Sequence, residues 1–262
     1  MREGSDGGIV RWLRGWQSFY RQVNDEATGH VGLFEWGVAL TAAIALMVAQ
    51  FGAQPSNVAY IMERAGLDLG SYWELAHLLA WVAACVVGYV VIPVVYLKLS
   101  GERLADYYLG FRGLGQHMGM YAALFLPASI LVLWVSYWPD FQAIYPFYSL
   151  AGRSWVDLIA WELAYGVQFF AVEFFFRAFL LQSLRRSMGV GAILLMLLPY
   201  CMIHFTKTPA ESVGSIFAGL ILGMIAMRGR SIWGGVLLHW LIAIEMDVLS
   251  LVHKGTLPDW PL

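Results

Sequence analysis

The sequence predicts an all-α fold, a polytopic bundle of about seven transmembrane helices with an amino-terminal interfacial helix. Three observations carry that prediction. Of the 262 residues, 60% are apolar and only 13% are charged, where a soluble domain has about 25% charged residues. The apolar residues also gather in runs long enough to cross a hydrocarbon core of roughly 30 Å at about 1.5 Å per helical residue. Finally, the basic residues between those runs alternate in number from one connection to the next.

Residues 1–32 precede the first run and lack the apolar core of a signal peptide. Ile9, Trp12, Leu13, Trp16, Phe19, Tyr20 and Val23 recur at helical spacing, with Arg11, Arg14 and Arg21 between them. This pattern predicts a cytoplasmic helix lying in the membrane interface. Three spans follow within residues 33–153: Leu33–Gly52, Tyr72–Leu97 and Met118–Trp138. Residues 139–153, rich in Tyr, Phe and Pro, are expected to form an outer interfacial loop that serves only as an anchor. Residues 154–262 hold four more spans: Ser154–Leu181, Val190–Phe205, Glu211–Met227 and Ile232–Val252. Ser215, Gly219 and Gly223 form a ladder of small residues along the sixth, a signal for close helix packing.

The basic residues set the orientation. Arg2, Arg11, Arg14 and Arg21, then Lys98, Arg103 and Arg112, then Arg185 and Arg186, then Arg228 and Arg230 fall on one side. Arg64, Arg153, Lys207 and Lys254 fall singly on the other, and only Arg177 lies inside a span. The positive-inside rule then places the amino terminus in the cytoplasm and the carboxyl terminus outside. The net charge of −2 gives no reason to expect nucleic acid as a partner. Cys85 and Cys201 both lie in apolar runs and are expected to be packing residues with no disulfide.

Ionisable groups inside spans cost a few kcal/mol each and so mark functional positions. Glu162, Glu173, Arg177, His204, His239, Glu245 and Asp247 concentrate in the last four spans. Glu35, Glu74, His77 and Glu211 lie near span ends, within reach of headgroups, and carry less weight. Glu173 and Arg177 stand four apart on one helical face and are expected to pair. Glu162 falls about 20° from Glu173 on the same wheel. Such a pair also suits a purely structural role in helix packing. His204 and His239 come from two further spans. Carboxylate and imidazole together activate water, while a second imidazole stabilises an oxyanion. The same groups also suit a zinc ion or a proton relay, and spacing alone does not choose. By the helical rise, Glu173 and His239 lie about 12 Å from the inner ends of their spans, and His204 and Asp247 about 21–24 Å. Straight helices therefore predict two levels.

The segment Val172-Glu173-Phe174-Phe175-Phe176-Arg177-Ala178 resembles the first motif of the CAAX protease and bacteriocin-processing (CPBP, or ABI) family of intramembrane endopeptidases. Tyr200-Cys201-Met202-Ile203-His204 is similar to the second motif, an aromatic residue four before a histidine. Ser231 to His239, with its Gly234-Gly235 pair, resembles the approach to the third. Two positions depart from the pattern. Val172 replaces the first of two glutamates, and Ala243 replaces an asparagine or aspartate four after His239. Asp247 lies about 80° from His239 on the wheel and is the expected substitute. The resemblance implies a membrane-associated protein or peptide as substrate, a bacterial inner membrane as location, and residues 154–262 as the catalytic core. It implies no metal and no cofactor. Glu173 with His204 would activate water, Arg177 would orient Glu173, His239 would stabilise the oxyanion, and Asp247 would orient His239. The alternatives are an inactive, partner-binding membrane scaffold of the same family and a transporter or proton relay. The inverted repeats and paired broken helices expected of a transporter are missing.

Overall fold

The computed structural model describes residues 31–111 and 114–259, with positions 10, 11, 14, 15, 17 and 18 before them. The expected interfacial helix of residues 1–32 lies largely outside the described residues, as do Arg112 and the carboxyl end at Leu262. The chain divides into two compact units, Met1–Gly37 and Val38–Leu262. In the first, the Gly32 amide donates to Glu35 Oε2 at 3.0 Å, satisfying an open donor where helix α1 (Leu33–Phe51) begins.

In the second unit the order is α2 (Pro55–Arg64), α3 (Trp73–Val86), α4 (Ile92–Leu99), α5 (Leu114–Val135), α6 (Pro139–Ile144), α7 (Trp155–Glu173), α8 (Gln182–Met188), α9 (Gly191–Met202), α10 (Pro209–Gly229) and α11 (Trp233–Lys254). Two π-helical segments, Val87–Val91 and Phe174–Leu181, join α3 to α4 and α7 to α8 without a break. No strand occurs among the described residues. Among the described residues, six helices are long and apolar enough to cross a membrane: Leu33–Phe51, Gly70–Leu99, His117–Val135, Trp155–Met188, Pro209–Gly229 and Trp233–Lys254. Their length and composition are those of an integral membrane protein.

The expected fifth span is shorter than its apolar run. Helix α9 stops at Met202, because the amides of His204, Phe205 and Lys207 tighten onto carbonyls three residues back. Thr208 then caps α10: its Oγ1 accepts from the Glu211 amide at 3.2 Å and donates to Glu211 Oε1 at 3.0 Å. Pro209 fills the first helical position, where an amide hydrogen has no helical partner.

Small residues set how closely these helices approach. A methyl group at Gly219 would stand 2.5 Å from Leu197 Cδ1 and 2.9 Å from Tyr200 Cδ1, and one at Gly223 would stand 3.1 Å from Met196 Cε. The ladder on α10 therefore seats α9. Helix α11 uses Gly234 likewise, where a Cβ would overlap the Tyr121 ring at 2.0 Å.

Residues 139–153 do more than anchor the chain. Tyr145, Tyr148 and Ala151 are buried, and the Phe147 ring stacks on Trp161 at 5.8 Å with an interplanar angle of 8°. The segment is held at its backbone, where the Phe147 amide donates to Asp247 Oδ1 at 2.9 Å and the Ser149 amide donates to Glu74 Oε1 at 2.8 Å. It turns inward because its rings bury more apolar area there than at an interface, and acids on α3 and α11 satisfy its amides.

Candidate active site

Helix α7 begins at a strong cap, with Ser154 Oγ accepting from the Asp157 amide at 3.1 Å. It ends at Glu173, where the π-helical segment starts. Glu173 Oε1 stands 3.0 Å from Arg177 Nη1, and the two side chains are 1% and 0% exposed. The same oxygen stands 3.0 Å from His239 Nδ1 on α11. Glu173 and His239, which the helical rise puts at one depth, thus meet. They meet because residue 235 is glycine: a Cβ there would lie 2.3 Å from Glu173 Oε2 and 2.8 Å from its carboxyl carbon. No side chain larger than hydrogen fits between the carboxylate and the α11 backbone.

His239 is held on three sides. Glu173 faces Nδ1, the Tyr200 hydroxyl lies 2.9 Å from Nε2, and the Phe169 ring stacks parallel at 5.7 Å with an interplanar angle of 8°. Tyr200 also lies under the Arg177 guanidinium, whose carbon is 4.1 Å from the ring centroid. In the turn that follows α9, His204 Nδ1 stands 2.8 Å from the Tyr200 main-chain carbonyl. A carbonyl oxygen only accepts, so Nδ1 carries the hydrogen and the neutral ring has its lone pair on Nε2. No contact joins His204 to Glu173; Tyr200 stands between them.

A cavity of about 450 Å³ opens beside these residues, and His204, His239 and Tyr200 all line it. Val172 and Ala243 line it too, so both departures from the motifs put apolar groups on its wall. Glu173 is not among the lining residues; its carboxylate lies behind His239. Lys207 and Glu211, passed over in the sequence as loop and span-end residues, line the cavity as well. Lys207 Nζ donates to Tyr165 Oη at 3.1 Å and to Tyr145 Oη at 3.3 Å. Burial alone lowers its pKa, but the Tyr165 phenol and the Glu211 and Asp247 carboxylates outweigh that and hold it above the ordinary lysine value.

Asp247 is not brought to His239. It lies two turns further along α11, where Trp161 Nε1 donates to its Oδ2 at 2.9 Å and the Phe147 amide holds its Oδ1. Its neighbouring acid is Glu162. The wheel angle says nothing of the donors that occupy the carboxylate, because they come from a loop and from α7. The orienting contacts of His239 come instead from Glu173 and Tyr200. Among the described residues, no three His, Cys, Asp or Glu side chains converge as a metal site, and Cys85 and Cys201 are both free thiols.

Three residues of this arrangement carry no signal strong enough to place them from sequence. The Tyr200 hydroxyl is hidden in a motif position that any aromatic satisfies. Gly235 is visible only as one of two adjacent glycines at a helix start, and Phe169 is one of many aromatics in its span.

Residues 153–244 match the family model described as Rce1-like, type II CAAX prenyl endopeptidase. A search of curated proteins and of solved structures finds no match. The matched stretch runs from the cap of α7 through most of α11, so it includes Glu173, Arg177, Tyr200, His204 and His239 and ends before Asp247. Residues 153–244 are thus a stretch similar to the CPBP, or CAAX protease, family.

Proposed function

We propose that the chain is an intramembrane endopeptidase that hydrolyses a peptide bond of a membrane-associated protein. The observation that carries this reading is the placement of His204, from the turn after α9, and His239, from α11, on the wall of one cavity inside the bundle, with the Glu173–Arg177 pair directly behind His239. His204 Nε2 takes a proton from water as the water oxygen bonds to the carbonyl carbon and the carbonyl electron pair moves to oxygen. The His239 side of the cavity stabilises that oxyanion. On collapse the carbon–nitrogen bond breaks and the leaving amine recovers the proton from His204. Glu173 acts through His239, fixing the ring and balancing its charge, and Arg177 fixes Glu173. The proposed membrane is a bacterial inner membrane, with the amino terminus cytoplasmic.

The test uses the protein in liposomes with an internally quenched peptide carrying a farnesyl-cysteine three residues from its carboxyl end, and an unprenylated copy. Mass spectrometry of new protein termini in expressing membranes runs alongside. His204→Ala and His239→Ala should each cut the rate by about 10²–10⁴-fold, and the double variant should fall little further. Unchanged cleavage and unchanged termini in His204→Ala would sink the assignment.

A second reading is favoured by Val172 and Ala243, which put apolar groups on the cavity wall where the family motifs have polar ones. In that reading the cavity binds a membrane protein without cutting it. It predicts no new termini with the wild type and a biological function that survives His204→Ala.

A further inference from the structure

His239 has no ring nitrogen left for a substrate. Its Nδ1 faces the Glu173 carboxylate at 3.0 Å and its Nε2 faces the Tyr200 hydroxyl at 2.9 Å. Anything His239 does in the cavity must pass through that hydroxyl. Ala243, one turn along α11 and also on the wall, offers no hydrogen to donate.

Tyr200 is built to hold still. Its ring lies under Arg177 at 4.1 Å, meets the edge of Phe176 at 5.2 Å and fits against Gly219, where a Cβ would come within 2.9 Å of it. Its own carbonyl holds His204. We propose that the Tyr200 hydroxyl is a further catalytic group, donating the hydrogen bond to the oxyanion that forms in the cavity, with His239 acting from behind it. Where His239 Nε2 donates to the phenol oxygen, the phenol hydrogen is released toward the cavity. The guanidinium over the ring face draws electron density from the phenol and strengthens it as a donor. A fixed donor aimed at developing negative charge needs no reorganisation when the charge appears. The inference rests on the endopeptidase reading above.

Tyr200→Phe removes one oxygen and leaves the ring, its guanidinium contact and the carbonyl that holds His204. On the quenched peptide, kcat should fall about 10²–10³-fold with KM nearly unchanged. In protein labelled with ¹⁵N-histidine, the Nε2 resonance of His239 should move while those of His204 stay in place. A merely structural role for the phenol would not split kcat from KM. A stationary His239 resonance would show that the contact is not made and overturn the proposal. A moved resonance with full kcat would overturn the donor role. A wild type that cuts nothing, with the resonance still moving, would end the endopeptidase reading and the donor role together while leaving the contact in place. If Tyr200→Phe does not accumulate, 3-fluorotyrosine at position 200 keeps ring and hydroxyl but makes the phenol more acidic. A kcat unmoved by that change would also overturn the proposal.

Discussion

Replacing Arg177 with methionine tests whether the buried charges are coupled as the geometry requires. Arg177 Nη1 lies 3.0 Å from Glu173 Oε1 with both side chains almost wholly buried. At that distance an effective dielectric of about 20 gives roughly 5 kcal/mol of attraction. Methionine keeps much of the stem's volume but leaves the Glu173 carboxylate buried without its guanidinium, a loss of about 3–5 kcal/mol. The face of Tyr200 loses its cation as well, worth up to about 2 kcal/mol when desolvated. Methionine needs no desolvated charge, which offsets part of the sum, so a net loss of about 4 kcal/mol is expected. Glu173→Gln/Arg177→Met removes both charges and should lose at least about 2 kcal/mol less than the two single losses added together. Reversible unfolding in mixed detergent and dodecyl sulfate micelles, followed through the 12 tryptophans, reads all four corners of this cycle. Additivity within about 0.5 kcal/mol would refute the coupling, as would an Arg177→Met protein as stable as the wild type.

Gly235→Ala should destabilise by about 1–3 kcal/mol, because the added methyl would lie 2.3 Å from the Glu173 carboxylate. At an open helical position the same change stabilises by up to about 1 kcal/mol, so a melting point that rises would refute the close approach. Glu102 receives two hydrogen bonds from Arg186, at 2.6 and 2.7 Å, and these hold its carboxyl below the ordinary glutamate value of 4.5. A lowered folded pKa gives stability that is present above the unfolded value and lost as pH falls through the folded one. Below pH 5 the wild type should therefore lose stability more steeply than Glu102→Gln, by less than about 1 kcal/mol given the exposed arginine, and parallel acid limbs would count against the pair. Reporters that fluoresce only in cytoplasm should be bright when inserted near Arg186 and dark when fused after Leu262, and the reverse pattern would overturn the orientation drawn from the basic residues.

Much of this arrangement is legible in the sequence, because bilayers and helices impose simple periodicities. Apolar runs mark the spans, a spacing of four gives the Glu173–Arg177 contact, and three weak motifs in order locate the segments that carry the two histidines. A helical wheel says which face a residue occupies but not what lies opposite. That is why Glu173, expected to meet the attacking water, lies behind His239 instead, and why Asp247 binds the Phe147 amide and Trp161. Hydropathy also misses the turn after Met202, since Ile203 and Phe205 are as apolar in a turn as in a helix. The inward course of residues 139–153 depends on amide acceptors about 75 and 100 residues away in sequence, at Glu74 and Asp247. No local pattern records them.

The Glu173–Arg177 contact has a consequence for how the chain enters its membrane. Both partners lie on one continuous helix, four residues apart, so the contact needs only that helix to exist. The span can therefore leave the insertion machinery as a self-neutralised rod, whereas an isolated acid or arginine at mid-membrane would cost about 2.5–3.5 kcal/mol on insertion scales. His239 is made last, some sixty residues later, and reaches Glu173 only when its own helix docks. The contact between Glu173 and His239 would then arise after membrane integration, as α11 closes over a charge pair already in place.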